Sequence, residues 1–408
     1  MNPSTWMYDT TAIHNLPLRQ ICIPTTHDSG TAHLRNPMVG APGLPEALVK
    51  IYNVLPQIAE ILANIPHSTI GGCLAAAVMA TRAGIFKGVK ELATATTSSI
   101  GHQLANGIRG LDLRISKHMG EFYTYHGLNG TLLSDVLQDI ATFLQQPGGE
   151  IVYVTFGHYE GFAAGGRDEQ DLLDQIQTVL GAYAYAPVVQ NEITNDVWQQ
   201  TWEQIVTVDG TQSTASRVVL VNGTSALASG IYWPQPYSPP DSTNQNMAIY
   251  GAYTNTIDLN AMQSGQLTNY CAALSANLPF ALYLTMTPQG SNYTQVIVQD
   301  IAQAIDNLGE RFQNEHGGIV AIIGRILQKI ANVLEIEVPL STSWTTLAGL
   351  TKEIDIDTLI QQFAPAPGQP NPVSMIYLDF YEKTNVVDVA IALSTGQLTN
   401  AGAPPCAA

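Results

Sequence analysis

Two histidines sit in frames suited to proton transfer. One frame is Leu16-Pro17-Leu18-Arg19-Gln20-Ile21-Cys22-Ile23-Pro24-Thr25-Thr26-His27-Asp28-Ser29-Gly30-Thr31. The other is Gly107-Ile108-Arg109-Gly110-Leu111-Asp112-Leu113-Arg114-Ile115, followed by Tyr123-Thr124-Tyr125-His126-Gly127. In each, an apolar, strand-like run delivers polar residues at its C-terminal end, where parallel-barrel enzymes carry their chemistry. An unperturbed imidazole titrates near pH about 6.5, so one ring can take a proton while another gives one. With the guanidinium of Arg114 and the carboxylates of Asp28 and Asp112, these are the parts needed to break a phosphodiester by general acid–base catalysis.

Such residues need a rigid frame, and the sequence offers one. Runs rich in Val, Ile, Leu and Tyr recur at 20–24, 108–115, 151–156, 217–221, 247–250, 280–286 and 373–380. They read as strands buried on both faces, as in a parallel sheet. Between them lie helical patterns, such as Leu132, Leu133, Val136, Leu137, Ile140, Phe143 and Leu144. Leu172, Leu173, Ile176, Val179 and Leu180 form another, and Val296, Ile297, Ile301, Ile305 and Leu308 a third. Strand–helix alternation predicts an α/β fold with right-handed crossovers. A TIM-type (β/α)8 barrel, irregular because the eighth strand is weak, is the first reading; a doubly wound open sheet is the second. A barrel takes about 250 residues. The surplus in this 408-residue chain falls in two helical insertions, 36–101 and 311–372, on a single barrel spanning 1–408. Residues 232–241, with four prolines, read as a rigid loop on the site side.

Composition narrows the partners. The apolar fraction is 45%, and the net charge of −17 argues against nucleic acid, which is gripped by clustered Lys and Arg. Six of the 16 basic residues fall between Arg82 and Lys117, opposed there only by Glu91 and Asp112, whereas 218–310 holds none. One rim is therefore locally positive, or one helix face is simply solvated. The cysteines Cys22, Cys73, Cys271 and Cys406 have no metal-binding spacing, and so few in so long a chain argue against a disulfide framework. No stretch supplies the roughly 20 uncharged residues of a membrane span. The N-terminus lacks the pattern of a signal peptide, which favours the cytoplasm, a mature secreted form being the alternative.

The two histidine frames together resemble the X domain of phosphatidylinositol-specific phospholipase C in its bacterial, metal-independent form. The likeness also takes in Trp6-Met7, Gly149-Glu150-Ile151-Val152-Tyr153-Val154 and Met375-Ile376-Tyr377-Leu378-Asp379-Phe380. The resemblance implies an irregular TIM-type barrel and a set of roles. His27 would be the general base, oriented by Asp379. Arg114 would hold the non-bridging phosphate oxygens. His126 would be the general acid, with Asp28 as its carboxylate partner. The calcium-dependent branch has acidic ligands where this chain has Arg114 and Gly157, so no metal or other cofactor is expected.

The chain departs from that pattern in places. Thr25 stands where the family has Gly. Of the residues that grip inositol in the bacterial enzymes, only Tyr253 is kept; Gly157, Asn222 or Gly223, and Gly251 stand at the other positions. His158 and Glu160, after the third strand, are candidates to replace the lost lysine. The expected substrate-binding set is thus His158, Glu160, Asn222 and Tyr253, with the head group open. The expectation is a phospholipase C-like phosphodiesterase acting on a phospholipid or other diester, with transient contact to a membrane surface. The alternatives are a phosphate- or sugar-binding barrel without turnover, and a metal-dependent glycerophosphodiesterase.

The other histidines, His14, His33, His67, His102, His118 and His316, read as structural or exposed. A structural ion pair with Asp112 is the plain alternative for Arg114, made awkward by the alternation of strand side chains. Residues 71–92 read either as a buried helical hairpin or as a lid facing lipid, with Arg82, Lys87 and Lys90 near head groups.

Overall fold

The computed structural model describes residues 2–39, 46–64, 69–163, 166–185, 197–208, 213–222, 249–287, 296–297, 300, 347–350, 355–402 and 406. The 232–241 loop, most of the helical pattern after Val296, and most of the second insertion lie outside them. Nine strands are described: β1 (Ile23–Thr26), β2 (Arg35–Met38), β3 (Gly110–His118), β4 (Glu121–His126), β5 (Leu128–Leu132), β6 (Ile151–Glu160), β7 (Arg217–Asn222), β8 (Phe280–Leu284) and β9 (Val373–Leu378). The parallel pairs run β7–β6–β3–β1–β9–β8, and a parallel bridge at Tyr250 continues the order past β8.

The period of two along these strands separates two cores. Ile23, Ile151, Tyr153, Val219, Val221, Ile249, Ala281, Met375 and Tyr377 form one cluster. It joins β7 to Ile249, the two ends of the pairing order. The sheet is therefore curled around its own side chains, as an irregular TIM-type barrel. The residues between, such as Leu111, Leu113, Val152, Val154, Val218, Leu220, Leu282 and Ile376, face outward into a second cluster. There they pack on helices α4 (Ile100–Ala105), α5 (Leu133–Leu144), α6 (Arg167–Leu180) and α8 (Leu259–Ala276), numbered after α1 (Trp6–Asp9), α2 (Glu46–Ala63) and α3 (Thr69–Ala93), with α7 at Trp202–Val206.

Register explains one departure from the family pattern. Thr25 pairs with Gly110 on one side and Tyr377 on the other. A Cβ on Gly110 would stand 2.0 Å from Thr25 Oγ1. The threonine on β1 is accommodated by a glycine on β3. Tyr153, Tyr283 and Tyr377 occupy the same level of the barrel and form its floor.

The structure corrects several expectations. The first strand begins at Ile23, because Leu18–Gln20 forms a 3-10 turn, and it ends at Thr26, directly before His27. Among the described residues the eighth parallel strand is absent. The 247–250 run contributes only the bridge at Tyr250. An antiparallel extension not foreseen in the sequence, β3–β4–β5–β2, leaves the barrel wall. Cys271 and Cys406, 135 residues apart, form a disulfide. Spacing cannot reveal such a pair, because only the docking of the C-terminal segment on α8 brings the two Cα atoms to 5.3 Å.

In the first insertion, α2 and α3 pack side by side, joined by too short a link to run parallel. Leu48, Tyr52, Leu55, Ile85, Val89 and Leu92 are buried with Leu34, Met38 and Leu128, and Arg82 lies over the Tyr52 ring at 4.4 Å. The other face is open: Val54, Ile58 and Ile61 of α2 and Met79 of α3 are exposed. Neither sequence reading alone describes it, since one face is buried and the other is not. Among the described residues, no helix is long and apolar enough to cross a membrane.

Candidate active site

The polar residues gather on top of the tyrosine floor, at the C-terminal ends of the parallel strands. β1 ends in a turn held by Ser29, whose N–H donates to the Asp112 carbonyl (2.8 Å) and whose Oγ accepts from the Asp112 N–H (2.8 Å). Gly30 is required there: its carbonyl accepts from Thr124 Oγ1 at 2.9 Å, and a Cβ would stand 2.4 Å from Thr124. Asp28 adopts a left-handed φ of 45° in this turn, a conformation Asp tolerates better than most residues. His126 arrives differently from the sequence expectation. β3 overshoots the barrel, the chain reverses at Met119-Gly120, and antiparallel β4 carries His126 back to the mouth.

Five expected residues meet there: His27, Asp28, Arg114, His126 and Asp379, all buried. His27 Nδ1 lies 2.8 Å from Asp379 Oδ1, and its Nε2 lies 3.2 Å from both Asp28 Oδ2 and Arg114 Nη2. A guanidinium has no lone pair to offer, so Nε2 either donates to Asp28 or accepts from Arg114. Arg114 Nε forms a close ion pair with Asp28 Oδ1. His126 Nδ1 lies 3.4 Å from Asp28 Oδ2 but only 2.9 Å from the carbonyl of Ala93, the last residue of α3. One expectation is widened and one corrected. Asp28 does pair with His126, but it is also the counter-charge of His27 and Arg114. Asp112 and Arg114, two apart on β3, share a face, so alternation does not separate them; even so, Arg114 pairs with Asp28.

The charges of the two rings differ sharply. Burial alone would lower His27, but Asp28 and Asp379 outweigh it and raise it to about 9. For His126 burial wins over Asp28, and Arg114 adds to it, lowering the ring to about 4. Burial would raise Asp28, yet Arg114 and both histidines hold it below its usual range. Burial likewise opposes the charge on Arg114, but Asp28 and Asp112 keep it firmly protonated. Asp379 is raised, chiefly by burial and against the pull of His27. The ligand-free site at neutral pH therefore holds its mobile proton on His27, with Asp28 as the principal anion.

The substrate-binding candidates separate. Tyr253 joins the site: its hydroxyl donates to Asp112 Oδ2 (3.2 Å), and its ring lies 5.2 Å from His27 and 4.2 Å from Tyr283. Tyr283 stacks in turn on Tyr377 at 4.4 Å, so an aromatic column runs from the floor to the His27 ring. His158 stands at the rim, with φ 51°, within the register shift between β3 and β6. The residue is exposed to solvent, yet the protein around its ring and then Arg114 lower it, which places it within electrostatic reach of the centre. Glu160 ends β6 opposite Ser116 and is not among the groups that converge on Asp28. Asn222 ends β7; its side chain is outside the described residues.

The chain is 26% identical over 200 residues to PI-PLC X domain-containing protein 3 of Mus musculus, covering 48% of this chain and 54% of the relative. It is 24% identical over 199 residues to the human PI-PLC X domain-containing protein 2, covering 48% and 55%. Over about half its length the chain is similar to PI-PLC X domain-containing proteins. It spans about half the length of the curated relatives it matches. No protein-family model matches it. Among solved structures, the phosphatidylinositol-specific phospholipase C of Listeria monocytogenes matches with a TM-score of 0.47 and 13% identity, over 97% of this chain and 99% of that one. That of Staphylococcus aureus matches with a TM-score of 0.45 and 13% identity, over 97% and 98%.

Sequence reasoning named the Asp112 carboxylate without giving it a place in the site, and missed one contributor, the Ala93 carbonyl. Asp112 was legible from its place two residues before Arg114, on the same face of one strand. It accepts from the Asp28 N–H (3.5 Å) as well as from Tyr253. The Ala93 carbonyl was not legible, because a backbone acceptor at a helix end leaves no residue-type signal.

Proposed function

We propose that the chain is a metal-independent, phospholipase C-like phosphodiesterase. One observation carries the reading: two imidazoles and a guanidinium already converge on a single anion, the Asp28 carboxylate. A phosphodiester oxygen is an anion that the same three groups suit. Its negative charge, seated between Arg114 and His126, favours protonated His126 and takes Arg114 from Asp28. The one mobile proton then passes from His27 to His126, where it sits beside the phosphate charge, and neutral His27, steadied by Asp379, serves as base. His126 protonates the leaving alkoxide, and Arg114 stabilises charge on the non-bridging oxygens. A head group with a hydroxyl beside the ester gives a cyclic product; otherwise His27 activates water. The exposed apolar ridge of α2 and α3 favours a diester presented on a lipid surface. The disulfide favours an oxidising compartment over the cytoplasm, where thiols are kept reduced.

One observation favours a second reading. His27, Asp28 and Asp112 offer ligand atoms within 4.8 Å of one another, the carboxylate grouping a metal-dependent glycerophosphodiesterase needs. Arg114 on Asp28 opposes a cation there. A panel of phospholipids and glycerophosphodiesters, assayed with EDTA in vesicles and in monomeric form, separates these readings. EDTA-resistant turnover abolished by His27→Ala and His126→Ala is expected. Turnover lost in EDTA supports the metal-dependent reading, and binding without turnover supports the non-catalytic one.

The charge states predict an unusual pH profile. Catalysis needs one proton shared between the two rings. With the rings near 9 and 4, that single-proton state persists from about pH 4 to about pH 9. Below this window both rings are charged; above it both are neutral. kcat/KM is therefore expected to be flat across the window and to fall on either side, where two unperturbed histidines would give a narrow optimum near about 6.5. The plateau is the same whichever ring carries the proton. A narrow bell centred near neutrality would contradict the charge assignment.

A further inference from the structure

The segment that leaves α3, residues 93–98, is a bracket between three parts of the site. The Ala93 carbonyl accepts from His126 Nδ1 at 2.9 Å. The Ala95 N–H donates to Thr31 Oγ1 at 3.0 Å, tying the bracket to the His27–Asp28 turn. The Ala95 carbonyl accepts from the Phe380 N–H at 2.6 Å, tying it to the residue after Asp379. One side chain closes the bracket from outside. Glu382 Oε1 accepts from Thr96 Oγ1 (2.6 Å), the Thr97 N–H (2.8 Å) and Thr97 Oγ1 (3.3 Å). These donors outweigh its partial burial and hold the Glu382 carboxyl below its usual range, so it is an anion at neutral pH.

A carbonyl oxygen can only accept. Nδ1 of His126 must therefore carry a proton whether or not the ring is charged, and Nε2 is the atom that exchanges one. The acceptor that sets this tautomer comes from Ala93, at the foot of the helical insertion; Asp28 is farther away and is shared with His27 and Arg114. We propose that Glu382 is a positioning residue for His126: by holding Thr96 and Thr97 it fixes the Ala93 carbonyl, and with it the tautomer and aim of the ring. The proposal rests on the reading of His126 as the proton donor and adds what orients it. It also gives the insertion a part in the chemistry, since α3 supplies the acceptor.

The test uses the full chain with Glu382→Ala, Glu382→Gln and Thr96→Val, followed by steady-state kinetics and by NMR titration of the His126 ring with inorganic phosphate as the probe. Glu382→Ala is expected to lower kcat about tenfold with little change in KM, because a small misplacement of a catalytic group is felt in the chemical step. It should also move the His126 titration further down, since the bond to Ala93 raises that ring against its burial. The groups facing the ring (Asp28, Arg114 and His27) are unchanged by the substitution. Glu382→Gln keeps an oxygen acceptor and should restore most of the rate. Thr96→Val, which removes the bond to Glu382 and the one accepted from the Ser98 N–H at nearly constant shape, should shift the ring in the same direction by less, and it serves if Glu382→Ala does not fold. A folded Glu382→Ala or Thr96→Val variant with an unaltered His126 titration would overturn the proposal. Turnover surviving in His126→Ala would instead count against the catalytic reading, and the ring titration would still decide the positioning.

Discussion

His27→Ala is expected to lower kcat by about 10³-fold, and the His27→Ala/His126→Ala double variant by little more than either change alone. The argument is geometric. Both rings lie within 3.4 Å of one carboxylate oxygen, so both bear on a single reacting centre rather than on two independent sites. Taking a proton from the attacking oxygen and giving one to the leaving oxygen belong to one transition state, and losing either blocks the same step. Groups that act as a unit lose rate together, not in proportion. The His27 ring is fixed on both sides, by Asp379 at 2.8 Å and by Asp28 at 3.2 Å, so an alanine there removes a preorganised base rather than a wandering one. Kinetics on the single and double variants, with far-UV circular dichroism to confirm the fold, checks this. Multiplicative losses would mean that the rings serve separate steps, and a variant keeping a large part of the rate would remove His27 from the chemistry.

The sequence showed most of what positions this centre. The motifs around β3 and β9 already marked Arg114 and Asp379 as candidates, although alternation was misapplied to Asp112 and Arg114, which stand two apart and so share a face. The near-continuous apolar runs announced parallel strands covered on both faces, and the structure has them. What stayed hidden shares one physical cause: it depends on partners far apart in sequence or on the backbone. The reversal of β4 that returns His126 is set by a two-residue turn at Met119-Gly120 in which Gly120 alone is a turn signal. The Cys271–Cys406 bridge requires the docking of the C-terminal segment. The Ala93 acceptor is a carbonyl. The sharing of Asp28 among two imidazoles and a guanidinium is a property of assembled groups, and it reversed the expected protonation: the ring assigned as base rests charged and the ring assigned as acid rests neutral. A sequence fixes which groups titrate, but burial and neighbours fix their order.

Glu150→Ala should cost about 3–5 kcal/mol of folding stability, the usual penalty for stranding one member of a buried ion pair. Glu150 precedes β6 and Arg109 precedes β3, at the end of the barrel opposite the catalytic centre. Arg109 is fully buried, and its Nε meets Glu150 Oε2 at 2.7 Å. Its remaining donors go to backbone carbonyls: Nη1 to Leu104 and Ile108 (2.8 Å each), Nη2 to Pro3 (3.0 Å) and Ser4 (2.8 Å). Phe143 lies 4.7 Å from the guanidinium. Glu150 also accepts from the Tyr8 N–H (2.9 Å) and the Met7 N–H (3.4 Å). The pair thus seals the barrel floor and pins the N-terminal segment across it. Burial already presses Arg109 toward its neutral form, against the opposing charge of Glu150. Without that charge the guanidinium is left buried and uncompensated, and two amide donors lose their acceptor. Replacing both residues by methionine should cost less than Glu150→Ala alone, because no charge then remains to be buried. Denaturant titration of the single and double variants measures the difference, and limited proteolysis reports release of residues 3–10. A Glu150→Ala variant within about 1 kcal/mol of the wild type would show that the backbone carbonyls alone hold Arg109, as weakly coupled pairs allow.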